Sequence, residues 1–479
     1  MQDMRVMMAA LAGVLCALAH GAAAAPVVGA APPAREILRE LIEINTTDSS
    51  GSTTVAAEAM SARLRGGGFA AADLAVLGPD PRKGNLVARY RGRPGSRLRP
   101  ILLIGHLDVV EARREDWSTD PFKFVEQDGY FYGRGTLDMK GDDAILVAAF
   151  LRMKHEGYVP DRDLILALTA DEEGGAFNGV DWLLTTHRDL VDAEFVINPD
   201  GGRVATEKGR PVAVEIEATE KLYADFEISA TNPGGHSSLP KPDNAIYQVA
   251  DALAVLQRTP FPPELNPVTR EYFTQIARIE TPQNAADLRA MLEDPPDEAA
   301  VRRLSQDTHF NATLRTTCIP TMISGGHAFN ALPQKAAANV NCRILPGHSQ
   351  EEIRLELVRL FADPGLRVRY RADSGAVTDQ APDRSVMKPP PPRADVLGPL
   401  REAAAQSWPG VPVVPIMETV ATDSLHTMMA GIPSYGICGL AFDRDDDHRH
   451  GRDERVKVKS FDDGVEFYYR FLKALSSGR

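Results

Sequence analysis

The sequence predicts an α/β fold with a central, mostly parallel sheet, interrupted by a smaller inserted α+β domain. Three observations carry this. Residues 35–200 alternate helical and strand patterns, as chains do when a parallel sheet is covered on both faces. After Gly209 the pattern changes to long alternation of apolar and polar residues, the mark of half-buried antiparallel strands. Residues 394–479 then return to α/β patterning, so the larger domain is discontinuous. At 479 residues, with 43% apolar and 25% charged residues, the chain exceeds one ordinary domain and has ample material for a core.

The elements follow in order. AREILRELIEIN and STTVAAEAMSARLRGGGF space their apolar residues as helices do, and the second runs into a glycine stop. NLVARYRG and ILLIGHLD are strand candidates, GDDAILVAAFLRMKHEG a helix, LILALTA a strand, FNGVDWLLTTHRDL a helix and FVINP a strand. PVAVEIEATEKLYADFEISA alternates along its length, and NAIYQVADALAVLQRT is helical. Residues 260–311, rich in Pro, Glu, Asp and Arg, read as a helical insertion. TTCIPTMISG and AAANVNCRIL form a strand pair, and a turn centred near Asn330 would set Cys318 opposite Cys342, where a disulfide suits an oxidising compartment. A helix from Gln350 to Asp363 completes the smaller domain, and Lys388 with the four prolines after it is a stiff linker or loop.

Arg5, the apolar run from Val6 to Ala19 and the small residues Ala22 to Ala25 read as a secretory signal, so export to the periplasm or exterior is expected. The expected boundaries are 1–25 for the signal peptide, 26–210 and 379–479 for the larger domain, and 211–378 for the insert. The alternative, an uncleaved anchor, would bring membrane contact; against it, the apolar run is shorter than the roughly 20 residues a span needs. Formal charge is -13, and loss of Asp3 and Arg5 with the signal leaves it unchanged. Nucleic acid is thereby disfavoured as a partner.

The chemistry lies where apolar runs end. His106 and Asp108 close ILLIGHLD, Asp138 sits in GRGTLDMKG, Glu172 and Glu173 follow LILALTAD, Asp200 follows FVINP, and His450 sits in HRHGRDERV. An α/β enzyme puts its reactive groups at the carboxyl ends of its strands. Zinc-type cations take imidazole nitrogen and carboxylate oxygen, and two of them about 3.5–4 Å apart need a bridging carboxylate. His106, Asp138, Glu173, Asp200 and His450 supply a donor set of that kind. Asp108, two residues after His106, can take the proton on the other imidazole nitrogen. Glu172 is left over beside a ligand, as a general base for hydrolysis would be. Singly these residues have blander readings: GRGTLDMKG as a phosphate turn, although it lacks the usual glycine spacing, and Glu172-Glu173 as an acidic helix start.

HLD, GRGTLDMKG, DEE, the strand-end Asp200, GGHSS, GGHAFNALP, NCR and HGRDERV occur in this order in the M20 family of metallopeptidases and amidohydrolases, which the chain resembles over residues 35–475. The resemblance implies a zinc-hydrolase catalytic domain with an inserted lid and dimerisation domain. It implies that Asp138 bridges two zinc ions, with Co2+ or Mn2+ as substitutes; His106 and Asp200 complete one site, Glu173 and His450 the other, and Glu172 is the base. It further implies that His236 of NPGGHSSLP reaches the partner subunit's active site in a homodimer and polarises the scissile carbonyl. Asn330 and Arg343 match substrate-binding positions, Arg343 pairing with a carboxylate. Met139 stands where some members carry a second acid, and His448 rivals His450 as ligand. His327 is read as incidental, and Thr422, Asp423 and Ser424 resemble a substrate-side loop. The expected activity is carboxypeptidase- or dipeptidase-like cleavage of a peptide or amide bond next to a free carboxylate. N-acyl-amino-acid deacylation is the alternative, and an inactive zinc-binding envelope protein, which would be expected to lose Glu172 or a ligand, is the reading from another class.

Overall fold

A computed structural model of the chain describes residues 34–477, apart from 373, 384, 386–388, 390, 391, 444 and 445. The signal-peptide reading of residues 1–25 lies outside them, as do Lys388 and two of the prolines after it. Among the described residues, a sheet of ten strands forms the larger layer. Its middle is parallel: Leu164–Thr169, Ile101–His106, Phe195–Asn198 and Ser434–Gly436 lie side by side in that order. Its flanks are mixed. Asn85–Tyr90 runs antiparallel to Leu164–Thr169, and Arg203–Glu207 antiparallel to Arg210–Glu220.

The strand Ile101–His106 explains why the middle is buried on both sides. Ile101, Leu102, Leu103 and Ile104 are each at most 1% exposed. Successive side chains of a strand point to opposite faces. Ile101 and Leu103 therefore meet the helices Lys140–His155 and Val458–Ser476, while Leu102 and Ile104 meet Val180, Leu183 and Leu184 of the helix Gly179–Thr186. Each such aliphatic side chain contributes roughly 1.5–3 kcal/mol. The predicted helix FNGVDWLLTTHRDL is two helices, Gly179–Thr186 and Arg188–Val191, with His187 outside helical geometry between them.

A second, wholly antiparallel sheet has the order Thr317–Gly325, Lys335–Ile344, Leu222–Thr231, Leu366–Arg371, Val377–Thr378. Helices Ala245–Arg258 and Gln350–Phe361 bury Ala252, Leu256, Ile353, Leu357 and Phe361 against its Leu222, Phe226, Val340 and Val368. Cys318 and Cys342 stand opposite each other in the ladder and form a disulfide.

Two assignments made from the sequence change. The long alternating run does not stay in one sheet: Arg210–Glu220 pairs within the large sheet and Leu222–Thr231 within the smaller one, with Lys221 between them. Alternation reports which faces are buried, not which neighbour a strand pairs with. The insertion forms four helices, Pro267–Ile276, Pro282–Met291, Glu298–Leu304 and Thr308–Leu314. These pack Tyr272, Phe273, Leu288 and Phe310 onto Val414 and Ile416 of the large sheet rather than onto the smaller one. Among the described residues, no helix is long and apolar enough to cross a membrane.

Candidate metal centre

Three neighbouring parallel strands end together and release their chemistry at one edge. His106 is the last residue of its strand and pairs in register with Thr169, after which the chain leaves the sheet through Asp171, Glu172 and Glu173. Asp200 follows Asn198 at the end of the next strand. The other donors arrive by a small three-stranded ladder. Tyr130–Tyr132 leads into the loop carrying Asp138, and Arg455–Lys457, paired with it, immediately follows the loop carrying His450.

That pairing brings together loops more than 300 residues apart, and Glu454 fastens them. Its Oε1 accepts the backbone N–H groups of Leu137 (2.8 Å) and Asp138 (3.1 Å). Its Oε2 accepts from Gly135 N (3.1 Å) and Arg134 Nη1 (2.7 Å), and both charged side chains of that pair are buried. Gly135, at φ 97°, turns this loop where its chain packs on Lys140. The Lys140 Nζ in turn holds the carbonyls of Leu41 (2.9 Å) and Ile44 (2.8 Å). Glu454 lies within HGRDERV, so the acid was visible in the sequence; its partners, main-chain groups of a distant loop, were not.

Asp138 is the centre of the cluster. Its Oδ1 is 3.1 Å from His106 Nε2 and its Oδ2 is 3.2 Å from His450 Nε2, so the two oxygens face different imidazoles. His450 Nε2 is also 2.9 Å from Glu173 Oε1. His106, Asp138 and Asp200 have donor atoms within 4.8 Å of one another, as do Asp138, Glu173 and His450. His106, Glu172 and Glu173 form a third such group. Two imidazoles and three carboxylates at these spacings fit divalent cations of the zinc type. His448 is engaged elsewhere, with Nε2 3.2 Å from Asp446.

Asp108 acts differently from the sequence expectation. His106 Nδ1 donates to the backbone carbonyl of Asp108 (3.0 Å), while the Asp108 carboxylate lies 3.8 Å from that nitrogen. The carboxylate instead accepts the backbone N–H of Glu172 (3.2 Å) and Glu173 (2.9 Å). The strand ends at His106, so the rule that residues two apart share a face no longer applies at Asp108. The imidazole tautomer is still fixed, by main chain. Asp423 lies near Glu172, accepting from Asn178 Nδ2 (2.6 Å) and Thr169 Oγ1 (3.3 Å).

Crowding raises the pKa of most groups of the cluster and lowers that of its central one, Asp138. Burial, with the Asp138 charge, raises Asp200 to about 7, and burial raises Asp108 to about 6. Burial likewise lifts Glu172 well above the ordinary carboxylate range. Hydrogen bonds to Asp138 and Glu173 raise His450 to about 10. Burial works against the charged form of His106, but the Asp138 hydrogen bond and nearby acids outweigh it and raise its pKa well above the usual value. Burial would raise Asp138 too, but the two imidazoles hold it well below that range.

The consequence for stability has a definite sign. A carboxyl raised to about 7 stabilises the metal-free fold only while protonated, and this stability is lost as pH rises from its unfolded value near 4 towards 7. His450 adds stability that is full below about 6.5 and lost as pH rises towards 10. A divalent cation of the zinc type would supply positive charge in place of those protons. Its affinity is expected to rise at least about tenfold from pH 6 to pH 8 for each displaced proton of pKa near 7, and the zinc-induced increase in Tm should grow over the same range. A zinc-induced increase that shrinks between pH 6 and pH 8 would refute this account.

The residues expected on the substrate side lie in the smaller sheet's region. Gly235–His236 pairs with Ala331–Leu332, which places His236 beside Asn330, whose backbone carbonyl accepts from Ser237 N (3.0 Å). Both residues are exposed, and His236 Nδ1 lies 2.7 Å from Ser238 Oγ rather than against the metal cluster. Arg343 pairs across the ladder with Tyr223 and lays its guanidinium over that ring at 4.7 Å. Burial lowers its pKa from the ordinary arginine value.

Residues 102–474 match the family described as Peptidase family M20/M25/M40. The chain is 30% identical over 401 residues to the probable carboxypeptidase S-like 2 of Dictyostelium discoideum, covering 81% of this chain and 74% of the relative. It is 29% identical over 387 residues to the human N-fatty-acyl-amino acid synthase/hydrolase PM20D1, covering 78% and 74%. In fold it is similar to the M20 family metallo-carboxypeptidase Sso-CP2 of Sulfolobus solfataricus, with a TM-score of 0.67, 16% identity, and coverage of 93% of this chain and 99% of that one. With strand-end acids and imidazoles gathered at one edge of the sheet, and a match that spans most of its length, the chain belongs to peptidase family M20/M25/M40 and is a hydrolase of the metallopeptidase kind.

Proposed function

We propose that the protein is a dinuclear zinc exopeptidase that cleaves a peptide or amide bond adjacent to a free carboxylate. The observation that carries this is Asp138, whose two oxygens face His106 and His450 separately, with Asp200 completing one triad and Glu173 the other. A structural neighbour from Bacillus subtilis, 12% identical with a TM-score of 0.55, is described as a dinuclear metal binding peptidase of the M20 family, which supports the count of two. When bound, the ions would polarise the scissile carbonyl and make water nucleophilic near neutral pH. Glu172 takes the proton of the attacking water and returns it to the leaving amine. Asp108 holds the loop of Glu172 through two main-chain bonds, so the base is oriented without using its own carboxylate. Arg343 offers a guanidinium to the substrate carboxylate.

We propose a catalytic part built on residues 26–210 and 379–479, to which Arg210–Glu220 and the four insertion helices are added, and a lid and dimerisation part made of the rest of 211–378. The change of sheet at Lys221 supports moving Arg210–Glu220 to the catalytic part, and the packing of the four insertion helices does the same for them. His236 would then serve the active site of the partner subunit. Mixing His236→Ala chains with Glu172→Ala chains is expected to restore part of the activity that each lacks. No recovery in a verified mixed dimer would count against action in trans. The Cys318–Cys342 disulfide supports export to a periplasmic or external compartment.

A second reading, hydrolysis of N-acyl amino acids, is favoured by the likeness to PM20D1 and uses the same residues. The zinc-loaded protein should be offered dipeptides, longer peptides and N-acyl amino acids, with products identified by mass spectrometry. Release of C-terminal residues from peptides supports the first reading, and cleavage of N-acyl amino acids alone supports the second. Zinc-loaded protein that cleaves none of them would favour the envelope-binding alternative.

A further inference from the structure

Lys83 lies in the turn DPRKGNL, between the strands Leu74–Leu77 and Asn85–Tyr90, and none of the chemistry above uses it. Its side chain is only 8% exposed, and its Nζ stands 2.5 Å from both Asp171 Oδ1 and Asp48 Oδ1. The Asp171 side chain is 0% exposed. A buried carboxylate needs a cation or donors close at hand, and removing the partner of a buried ion pair is far more damaging than removing an exposed one.

Asp171 opens the loop that carries Glu172 and Glu173. With φ at 59° it turns the chain off the strand Leu164–Thr169. While Oδ1 meets Lys83, Oδ2 accepts the backbone N–H of Phe177 (3.1 Å), six residues on. Gly175, at φ 124°, folds over that carboxylate, where a Cβ would collide with it. The loop is therefore closed on itself through one side chain. Glu172 and Glu173 lie inside the closed segment, and their own N–H groups are held from outside by Asp108.

We propose that Lys83 is a positioning residue for this loop: by clasping Asp171 it holds the closed turn that aims Glu172 and Glu173 at the metal cluster. The proposal rests on the reading of Glu172 as base and Glu173 as ligand, and it differs from a general stabilising role because its effect is confined to one segment. Lys83 touches no donor of the metal cluster directly, and acts through Asp171.

The test compares Lys83→Met and Lys83→Arg in the full chain. Amide exchange of the metal-free protein over residues 170–178 is expected to quicken at least about tenfold in Lys83→Met, with the rest of the chain unchanged, and to stay near wild type in Lys83→Arg. In the zinc-loaded protein, the ion held by Glu173 and His450 should bind at least about tenfold more weakly while the other is unaffected, and kcat should fall with KM nearly unchanged. Wild-type exchange over 170–178 in Lys83→Met, or quickening spread evenly over the whole chain, would overturn the proposal. Wild-type protein that takes up only one ion would overturn the dinuclear reading instead, and the exchange comparison would still decide the role of Lys83. If Lys83→Met does not fold, Lys83→Gln carries the same exchange test, since it removes the charge that clasps Asp171 and leaves the Asp171 bond to Phe177 in place.

Discussion

Replacing Glu172 by alanine is expected to lower kcat by roughly 10²–10⁴-fold, the usual worth of a positioned general base, while the zinc content stays at about two ions per chain. The geometry makes this a sharp test. His106, Glu172 and Glu173 also lie within 4.8 Å of one another, so Glu172 could in principle serve as a ligand in place of a base. The grouping of donors favours the base: His106, Asp138 and Asp200 form one triad and Asp138, Glu173 and His450 the other, and neither needs Glu172. Metal analysis beside steady-state kinetics separates the roles. Loss of an ion together with activity would sink the assignment of Glu172 as base and make it a ligand.

Asp138→Asn is expected to have the largest effect on the metals themselves. The change keeps the shape of the side chain but removes the charge that both imidazoles face. Groups that merely support a ligand cost about 10–100-fold in metal affinity when removed; a shared bridge should cost more than that at both ions. Asp200→Asn and Glu173→Gln serve as controls, each expected to weaken one ion only. Stoichiometry after gel filtration in metal-free buffer is the measurement. Asp138→Asn protein that keeps both ions would show that the carboxylate does not bridge them.

The metal cluster was legible in the sequence because each donor follows a strand or lies in a glycine turn, and strand ends can be read from apolar runs. His106, Glu173 and Asp200 are of this kind, and the structure brings them to one edge of the sheet with Asp138 and His450. What was not legible depends on main chain. The Asp108 carboxylate binds two backbone N–H groups of a loop 64 and 65 residues away, and Glu454 binds three backbone N–H groups of another. Backbone donors are the same at every residue, so no side-chain pattern announces them. Lys83 was missed because a lone lysine in a turn normally points to water; its burial follows only from where Asp171 sits. The run through Lys221 was misassigned for a related reason: strand pairing across a sheet leaves little trace in local sequence.

The fastening of the Asp138 loop by Glu454, and the arrival of His450 with it, sets an order of events during synthesis. Four of the five proposed metal donors, His106, Asp138, Glu173 and Asp200, lie between residues 106 and 200, whereas His450 and Glu454 come some 250 residues later. A growing chain therefore lacks part of the proposed ligand set until residues 450–454 have been made. On the proposed ligand set the site is completed only when His450 arrives, so full metal uptake follows the making of the strands that carry the other donors.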